Sequence, residues 1–413
     1  MTALRIAYVL GTAAAGTGYH AAMLAEGCAA RGMNVMVIGP AATRPSFFDA
    51  GDASRPGDVG RPGHTGRPGD AGESGDAGQG DDAGIRFDLL DISDRPRPRR
   101  DAAAVRRLRG LLAGLAPDVV HAHGTRAGAF AAAALWRPSR RQPSAPRQRP
   151  ALVVTMHNAP PAGALASLIY RGLERVIAHR ADAVLCASGD LADRMRRLGA
   201  HEVGRAVVPA PASDPPSAEA VRQAQADIEA GSRPVVLAVG RLAGQKGFGV
   251  LLDAAAAWQD AQPRPRVAIA GEGPLAGELS AAAGRAGIDV VFLGARRDVP
   301  ALLAAADVVV VPSMWEARAL IVQEALTAGR PLVASRVGGI PELTGDDGAV
   351  LVPPSDAGQL AAAVLAILGD PALAARLSAA ALARAAALPS ESAAVDTAAS
   401  AYAALAAGKP LFG

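Results

Sequence analysis

Along most of the chain, short apolar runs bounded by Gly, Pro, Asp or Asn alternate with Ala-rich stretches of helical period. Runs that are apolar throughout, rather than at every second position, suit strands buried on both faces. In the first half they predict strands at Arg5–Leu10, Asn34–Ile38, Val119–His123, Leu152–Met156, Ala183–Ala187 and Ala206–Pro209. In the second half they predict Val235–Val239, Arg266–Ala270, Val290–Leu293, Val308–Val311, Leu332–Ala334 and Ala349–Val352. Strand and helix in this rhythm make βα units and parallel sheets. Residues 212–234 are polar and Pro-bearing, and read as a linker with room for a short helix. The fold class is therefore α/β, with two Rossmann-like domains, 1–211 and 235–388, facing across a cleft. Pro389-Ser-Glu-Ser392 reads as a break and N-cap before a final helix to about Leu405, within a segment 389–413. Ligands of such sheets lie beyond the carboxyl ends of the strands, so chemistry is sought in the loops that follow strands.

Composition narrows the function classes. The 413 residues suffice for two or three domains of about 150 residues each. Half are hydrophobic, 20% are charged and the formal net charge is only +3, which excludes a disordered polyelectrolyte and disfavours a dedicated nucleic-acid binder. Cys28 and Cys186 stand far apart without metal-ligand spacing, which argues against a disulfide framework or a zinc site and points to a reducing cytoplasm. Met1–Leu10 leads into a Gly-rich turn and reads as a strand, not a signal peptide. No run reaches the roughly 20 uninterrupted apolar residues of a membrane span. Gly57, Gly60, Gly63, Gly66, Gly69, Gly72, Gly75 and Gly78 recur at every third position. That collagen-like run is short and Pro-poor, and predicts a disordered insertion over about 45–84 with no part in catalysis. The Arg-rich stretches 93–110 and 137–150 read as solvated surface, with an anionic membrane as the alternative partner. The same choice, its own sheet or an anionic membrane, applies to the amphipathic basic helix predicted at 164–180.

Four motifs carry candidate chemistry. Gly11-Thr-Ala-Ala-Ala-Gly16-Thr-Gly18 follows the first strand and opens a helix, where backbone N–H groups can approach a phosphate or sugar. It matches neither the dinucleotide fingerprint nor a P-loop, and a plain strand–turn–helix junction looks similar. His123 and His157 stand at the ends of successive strands, where imidazole can donate a hydrogen bond or act as acid–base near neutral pH. His121 is expected to face the other way along its strand. Gly240-Arg241-Leu-Ala-Gly-Gln-Lys246-Gly247 offers two cations in a Gly-rich loop, an arrangement suited to a diphosphate. The chain has only two lysines, Lys246 and Lys409, so an internal lysine where arginine serves elsewhere asks for a reason. Pro312-Ser-Met-Trp-Glu316 and the following Glu324 place two carboxylates around a helix start, able to accept hydrogen bonds from hydroxyls.

Taken in order, Gly240-Arg241…Lys246-Gly247, Gly271-Glu-Gly-Pro274, Asp298-Val-Pro300…Ala306-Asp307, Pro312-Ser313…Glu316 to Glu324, and Gly338-Gly-Ile-Pro-Glu342 resemble the GT4 family of retaining glycosyltransferases. The likeness extends more thinly to Gly16–Gly18, Ala122-His123-Gly124 and Thr155-Met-His157. It implies a GT-B fold whose last helix crosses back to the first domain. It also implies that Arg241 and Lys246 neutralise a departing diphosphate, that Glu324 binds ribose and that Glu316 binds the donor sugar. The backbone of Leu320 and Ile321 would cap a phosphate, which Gly16 and Gly18 would touch from the other domain. His157 would sit beside the donor sugar, and His123 near the acceptor or phosphate. Glu316-Ala-Arg318-Ala departs from the family's usual Glu-Gly-apolar-Gly and brings Arg318 towards the sugar; Val208-Pro-Ala-Pro211 and Gly249 depart as well. The implied activity is metal- and cofactor-free transfer from a UDP- or GDP-sugar to a small molecule, lipid or glycan acceptor. No nucleic acid takes part, and weak contact with the inner face of a membrane is allowed. A sugar-nucleotide epimerase and a non-catalytic nucleotide-sugar binder are the alternatives.

Overall fold

The computed structural model describes residues 3–11, 16–44, 85–93, 96–136, 149–159 and 163–412. The glycine repeat and most of the stretch 137–150 lie outside the described residues. The chain forms two compact units, one up to Val208 together with the C-terminal segment from Ser392, the other over Pro209–Glu391.

The first unit holds a seven-stranded sheet of β1 (Arg5–Leu10), β2 (Asn34–Gly39), β3 (Ile85–Leu89), β4 (Val119–His123), β5 (Ala151–Met156), β6 (Ala183–Cys186) and β7 (Val203–Arg205). Its order is β3-β2-β1-β4-β5-β6-β7, with every pair parallel. The second unit holds β8 (Val235–Val239), β9 (Arg266–Ala270), β10 (Val290–Gly294), β11 (Val308–Val311), β12 (Leu332–Ser335) and β13 (Val350–Val352). Their order is β10-β9-β8-β11-β12-β13, again all parallel. In each sheet the strand order reverses once, between β1 and β4 and between β8 and β11. These are the switch points where doubly wound sheets open a crevice for ligands.

The continuous apolar runs have the predicted cause. In the second sheet Val235, Leu237, Val309 and Val311 face one buried cluster. Their neighbours Val236, Ala238, Val308 and Val310 face another on the opposite side. Helices cover both faces, so alternation has no polar partner to show. Two edge strands differ from the sequence expectation. β3 is not predicted because Arg86 and Asp88, which pair with each other at 3.1 Å, break its apolar pattern, as charged residues commonly do on an edge. β7 lies at Val203–Arg205 rather than Ala206–Pro209, because only that segment joins the ladder on β6, Val184 facing Val203. The residues 212–234 contain the helix Ala218–Ile228, capped by the Ser217 hydroxyl, and it buries Ala224 and Ile228 in the second unit's core.

The final helix, Glu391–Ala406, packs on the first sheet: Ala394, Val395, Ala398, Tyr402 and Leu405 share a core with Ile6, Tyr8 and Val119. The stretch Pro371–Ala406 is apolar enough on average for a membrane span. It folds instead as two helices, Pro371–Ala387 and Glu391–Ala406, parted around Pro389. The basic helix Ala164–Arg180 is fastened to its unit by Glu174, which is fully buried and accepts three hydrogen bonds of 2.6–3.0 Å from Arg194. Its buried residues are Glu174, Ile177 and Ala178, while Leu165, Leu168 and Val176 stay exposed.

Candidate active site

At the switch point of the second sheet, the loops after β8 and β11 are stitched together through their backbones. Met314 N–H donates to the Gln245 carbonyl at 2.7 Å, and the Gln245 amide donates to the Trp315 carbonyl at 2.8 Å. Gly247 makes this approach possible: it has φ +66°, and a Cβ there would lie 2.0 Å from the Pro312 carbonyl oxygen. The Gly271-Glu-Gly-Pro274 motif supports the same loop from behind, since Leu242 N–H donates to the Glu272 carbonyl at 2.8 Å.

These contacts bring Lys246 Nζ to 2.7 Å from Glu316 Oε1, which also accepts from the Ser313 hydroxyl at 2.8 Å. Glu316 is 6% exposed, and these two donors offset part of the cost of burying its carboxylate. The Gly338-Gly339 turn after β12 fixes the Glu316 backbone. Gly339 N–H donates to the Glu316 carbonyl at 2.9 Å, and a Cβ at Gly338, with φ +49°, would lie 1.9 Å from that oxygen. Lys246, Ser313, Glu316 and Ile321 line one pocket with Val239 and Pro312. Ile321 belongs to the first turn of the helix Leu320–Thr327, whose N-cap Ala319 offers no side-chain cap. The uncapped N–H groups of that turn, including Leu320 and Ile321, and the helix dipole favour an anion. One turn further on, burial pushes the Glu324 carboxyl up to about 7. Arg241 is exposed on the β8 loop, while Arg318 and Leu320 are half-buried.

The first unit gathers a second constellation at its own switch point. Gly16 and the buried Gly18 open the helix Gly16–Ala30; residues 12–15 of their loop lie outside the described residues. At the ends of β4 and β5, His123 Nδ1 and His157 Nε2 stand 3.1 Å apart, with the rings stacked at 5.4 Å between centroids. His20, not singled out by the sequence reading, joins them at 5.4 Å from the His123 ring and 5.3 Å from the His157 ring. A signal for it existed: His20 lies just inside the helix that follows β1, and β1 pairs with β4.

His121 does not face away from His123. Their rings are 4.3 Å apart, because a strand's period of two puts residues 121 and 123 on one face. His121 is a structural residue, bonded to the Tyr402 hydroxyl at 2.6 Å and to the Thr155 hydroxyl at 2.7 Å, and so ties the last helix to the first sheet. Burial, reinforced by neighbouring imidazoles, holds His123 and His157 well below the ordinary histidine range. Burial likewise lowers His121 to about 3 and His20 to about 4. The expectation of acid–base titration near neutral pH is corrected accordingly: these rings are neutral there, each with one N–H and one lone pair.

Two family models match the chain, one described as Glycosyltransferase Family 4 over residues 14–211 and one as Glycosyl transferases group 1 over 233–370. An α-D-kanosaminyltransferase of Streptomyces kanamyceticus is 31% identical over 221 residues, 51% of this chain and 57% of the relative. A 2-deoxystreptamine glucosyltransferase of the same organism is 33% identical over 201 residues, 44% of this chain and 51% of the relative. The chain thus spans about half the length of the curated relatives it matches. Anabaena HepE, solved in complex with UDP, superposes with a TM-score of 0.74 at 19% identity, over 97% of this chain and 100% of that one, and shares the fold. HepE has also been solved with UDP-glucose. Two parallel-sheet units in GT-B arrangement of strands, a returning C-terminal helix and family matches over both halves lead to one conclusion: the chain belongs to the family 4 glycosyltransferases.

Proposed function

We propose that the chain transfers a hexosyl group from a UDP- or GDP-sugar to an acceptor hydroxyl, with retention at the anomeric carbon and without a metal ion. The observation that carries this reading is the convergence, at the β8–β11 switch point, of the Lys246–Glu316 pair and an uncapped helix start. As the anomeric C–O bond breaks, negative charge grows on the departing diphosphate. Lys246, Arg241 and the N–H groups of Leu320 and Ile321 are the groups in this unit suited to receive it. Glu324 holds ribose hydroxyls, Glu316 the hydroxyls of the donor sugar, and Arg318 adds a donor beside that sugar. In the first unit, Gly16 and Gly18 offer backbone N–H groups to the phosphate, and His157 and His123 offer hydrogen bonds to sugar or acceptor as neutral rings. A thermal-shift panel of UDP- and GDP-sugars tests the reading. The matching donor is expected to raise stability by about 2.7 kcal/mol at a hundred times its Kd. A panel in which no donor moves the transition overturns it.

The acceptor side includes a membrane surface in this proposal, with the enzyme at the cytoplasmic face. Support comes from the helix Ala164–Arg180, which turns Leu165, Leu168 and Val176 outward beside exposed Arg171, Arg175 and Arg180. Apolar side chains at the surface with cations alongside fit the interface of anionic lipids. Sedimentation with phosphatidylglycerol vesicles is expected to capture the chain at low salt and to lose it for Leu165→Ser/Leu168→Ser. Equal binding by wild type and variant contradicts the assignment.

A further inference from the structure

We infer that His20, His123 and His157 form a binding site for a divalent transition-metal ion, zinc or a cation of similar ligand preference. Three separate elements supply the rings: the helix after β1, the end of β4 and the loop after β5. One ring nitrogen from each lies within 4.8 Å of the others, and all three side chains are buried. Tetrahedral zinc at about 2.0–2.1 Å from each nitrogen needs the ligand atoms about 3.3 Å apart. His123 Nδ1 and His157 Nε2, at 3.1 Å, are already at that spacing.

The second observation is what these rings leave unsatisfied. His20 Nε2 lies 3.0 Å from the Val207 carbonyl, which can only accept, so Nε2 carries the proton and Nδ1 carries a lone pair. That Nδ1, on a residue 2% exposed, has no hydrogen-bond partner among the described residues. A backbone carbonyl that fixes the tautomer and aim of a ligating imidazole is the usual outer support of a histidine-bound metal. Three neutral imidazoles with no carboxylate or thiolate favour zinc, nickel, cobalt or copper over calcium or magnesium. Sequence spacing hides the site, because its ligands meet only through the β1–β4–β5 order of the sheet.

Binding rests on no step of the transfer reaction. One consequence does rest on the proposed function: His157 held by a cation is withdrawn from the donor sugar, so stoichiometric zinc inhibits transfer. Equilibrium dialysis of the metal-stripped full chain against zinc sulfate tests binding itself. The expected result is one zinc per chain, weakened more than tenfold by His20→Gln and by His123→Gln, and unchanged in a His179→Gln/His201→Gln control at exposed sites. Cobalt substitution of the wild type gives an independent readout, with the intense visible absorption of four-coordinate Co(II) expected. Absence of stoichiometric zinc, binding that survives both substitutions, or a six-coordinate cobalt spectrum overturns the site. Should the variants fail to fold, the wild-type stoichiometry and cobalt spectrum decide alone.

Discussion

Replacing Lys246 by alanine is expected to lower kcat for sugar transfer by about a thousandfold, the scale of removing one preorganised group that meets developing charge. Two effects combine at this position. The ammonium group is the only lysine in the described part of the second unit and reaches into the pocket by the helix start. It also neutralises Glu316, 2.7 Å away and almost fully buried. Without it, Glu316 keeps the Ser313 hydroxyl but loses its ion pair with Lys246, and the donor's diphosphate meets a less compensated carboxylate. Lys246→Ala is therefore expected to lose donor binding as well as rate. Lys246→Ala/Glu316→Gln removes the stranded charge and should recover fold stability while kcat stays low. Steady-state kinetics with urea unfolding on both variants separates the effects. A variant that unfolds earlier yet keeps its kcat assigns Lys246 a purely structural role.

The second large effect concerns Glu324. Its carboxyl ionises at about 7 in the folded chain against an ordinary value of 4.5, because it is desolvated. Between those values the unfolded chain has released its proton while the folded chain retains it. Stability attributable to this group therefore falls as pH rises through that window, and the penalty is complete above about 7. Donor binding runs the other way. Ribose hydroxyls need an acceptor, and the carboxylate accepts through both oxygens where the protonated acid offers less. Donor affinity is expected to climb as pH rises from about 6 to about 8. Glu324→Gln, never charged, should flatten that profile, weaken donor binding about tenfold or more and raise the melting temperature at alkaline pH. Calorimetric titration across pH on wild type and variant reads the first two quantities. A pH-independent wild-type affinity contradicts the assignment.

Much of this architecture was legible in the sequence, because the strands that build the switch points are buried on both faces and so carry unbroken apolar runs. β1, β4, β8, β9 and β11 fall where those runs lie. The edges were less legible: β3 mixes charge into its pattern, and β7 is a three-residue strand beside a longer apolar run that does not join the ladder. In the second unit the site was readable as an ordered set of motifs, and the structure adds why their glycines stand there, Gly247 and Gly338 each lying against a carbonyl of the 312–316 segment. The histidine constellation was half legible. His123 and His157 announce themselves at strand ends, whereas His20 is brought in by sheet order, and His121 is placed by parity with His123. The neutrality of the cluster is a property of burial, which residue identity alone does not carry.

In the proposed function, the second unit binds a nucleoside-diphosphate sugar and activates its anomeric bond through Lys246 without a metal. Chromatographic assay of nucleoside diphosphate released from the stabilising donor, in the presence of a chelator, measures it most directly. Steady release by the wild type is expected, accelerated by the acceptor, with about a thousandfold less from Lys246→Ala. No release from any UDP- or GDP-sugar, or equal release by wild type and Lys246→Ala, would contradict it.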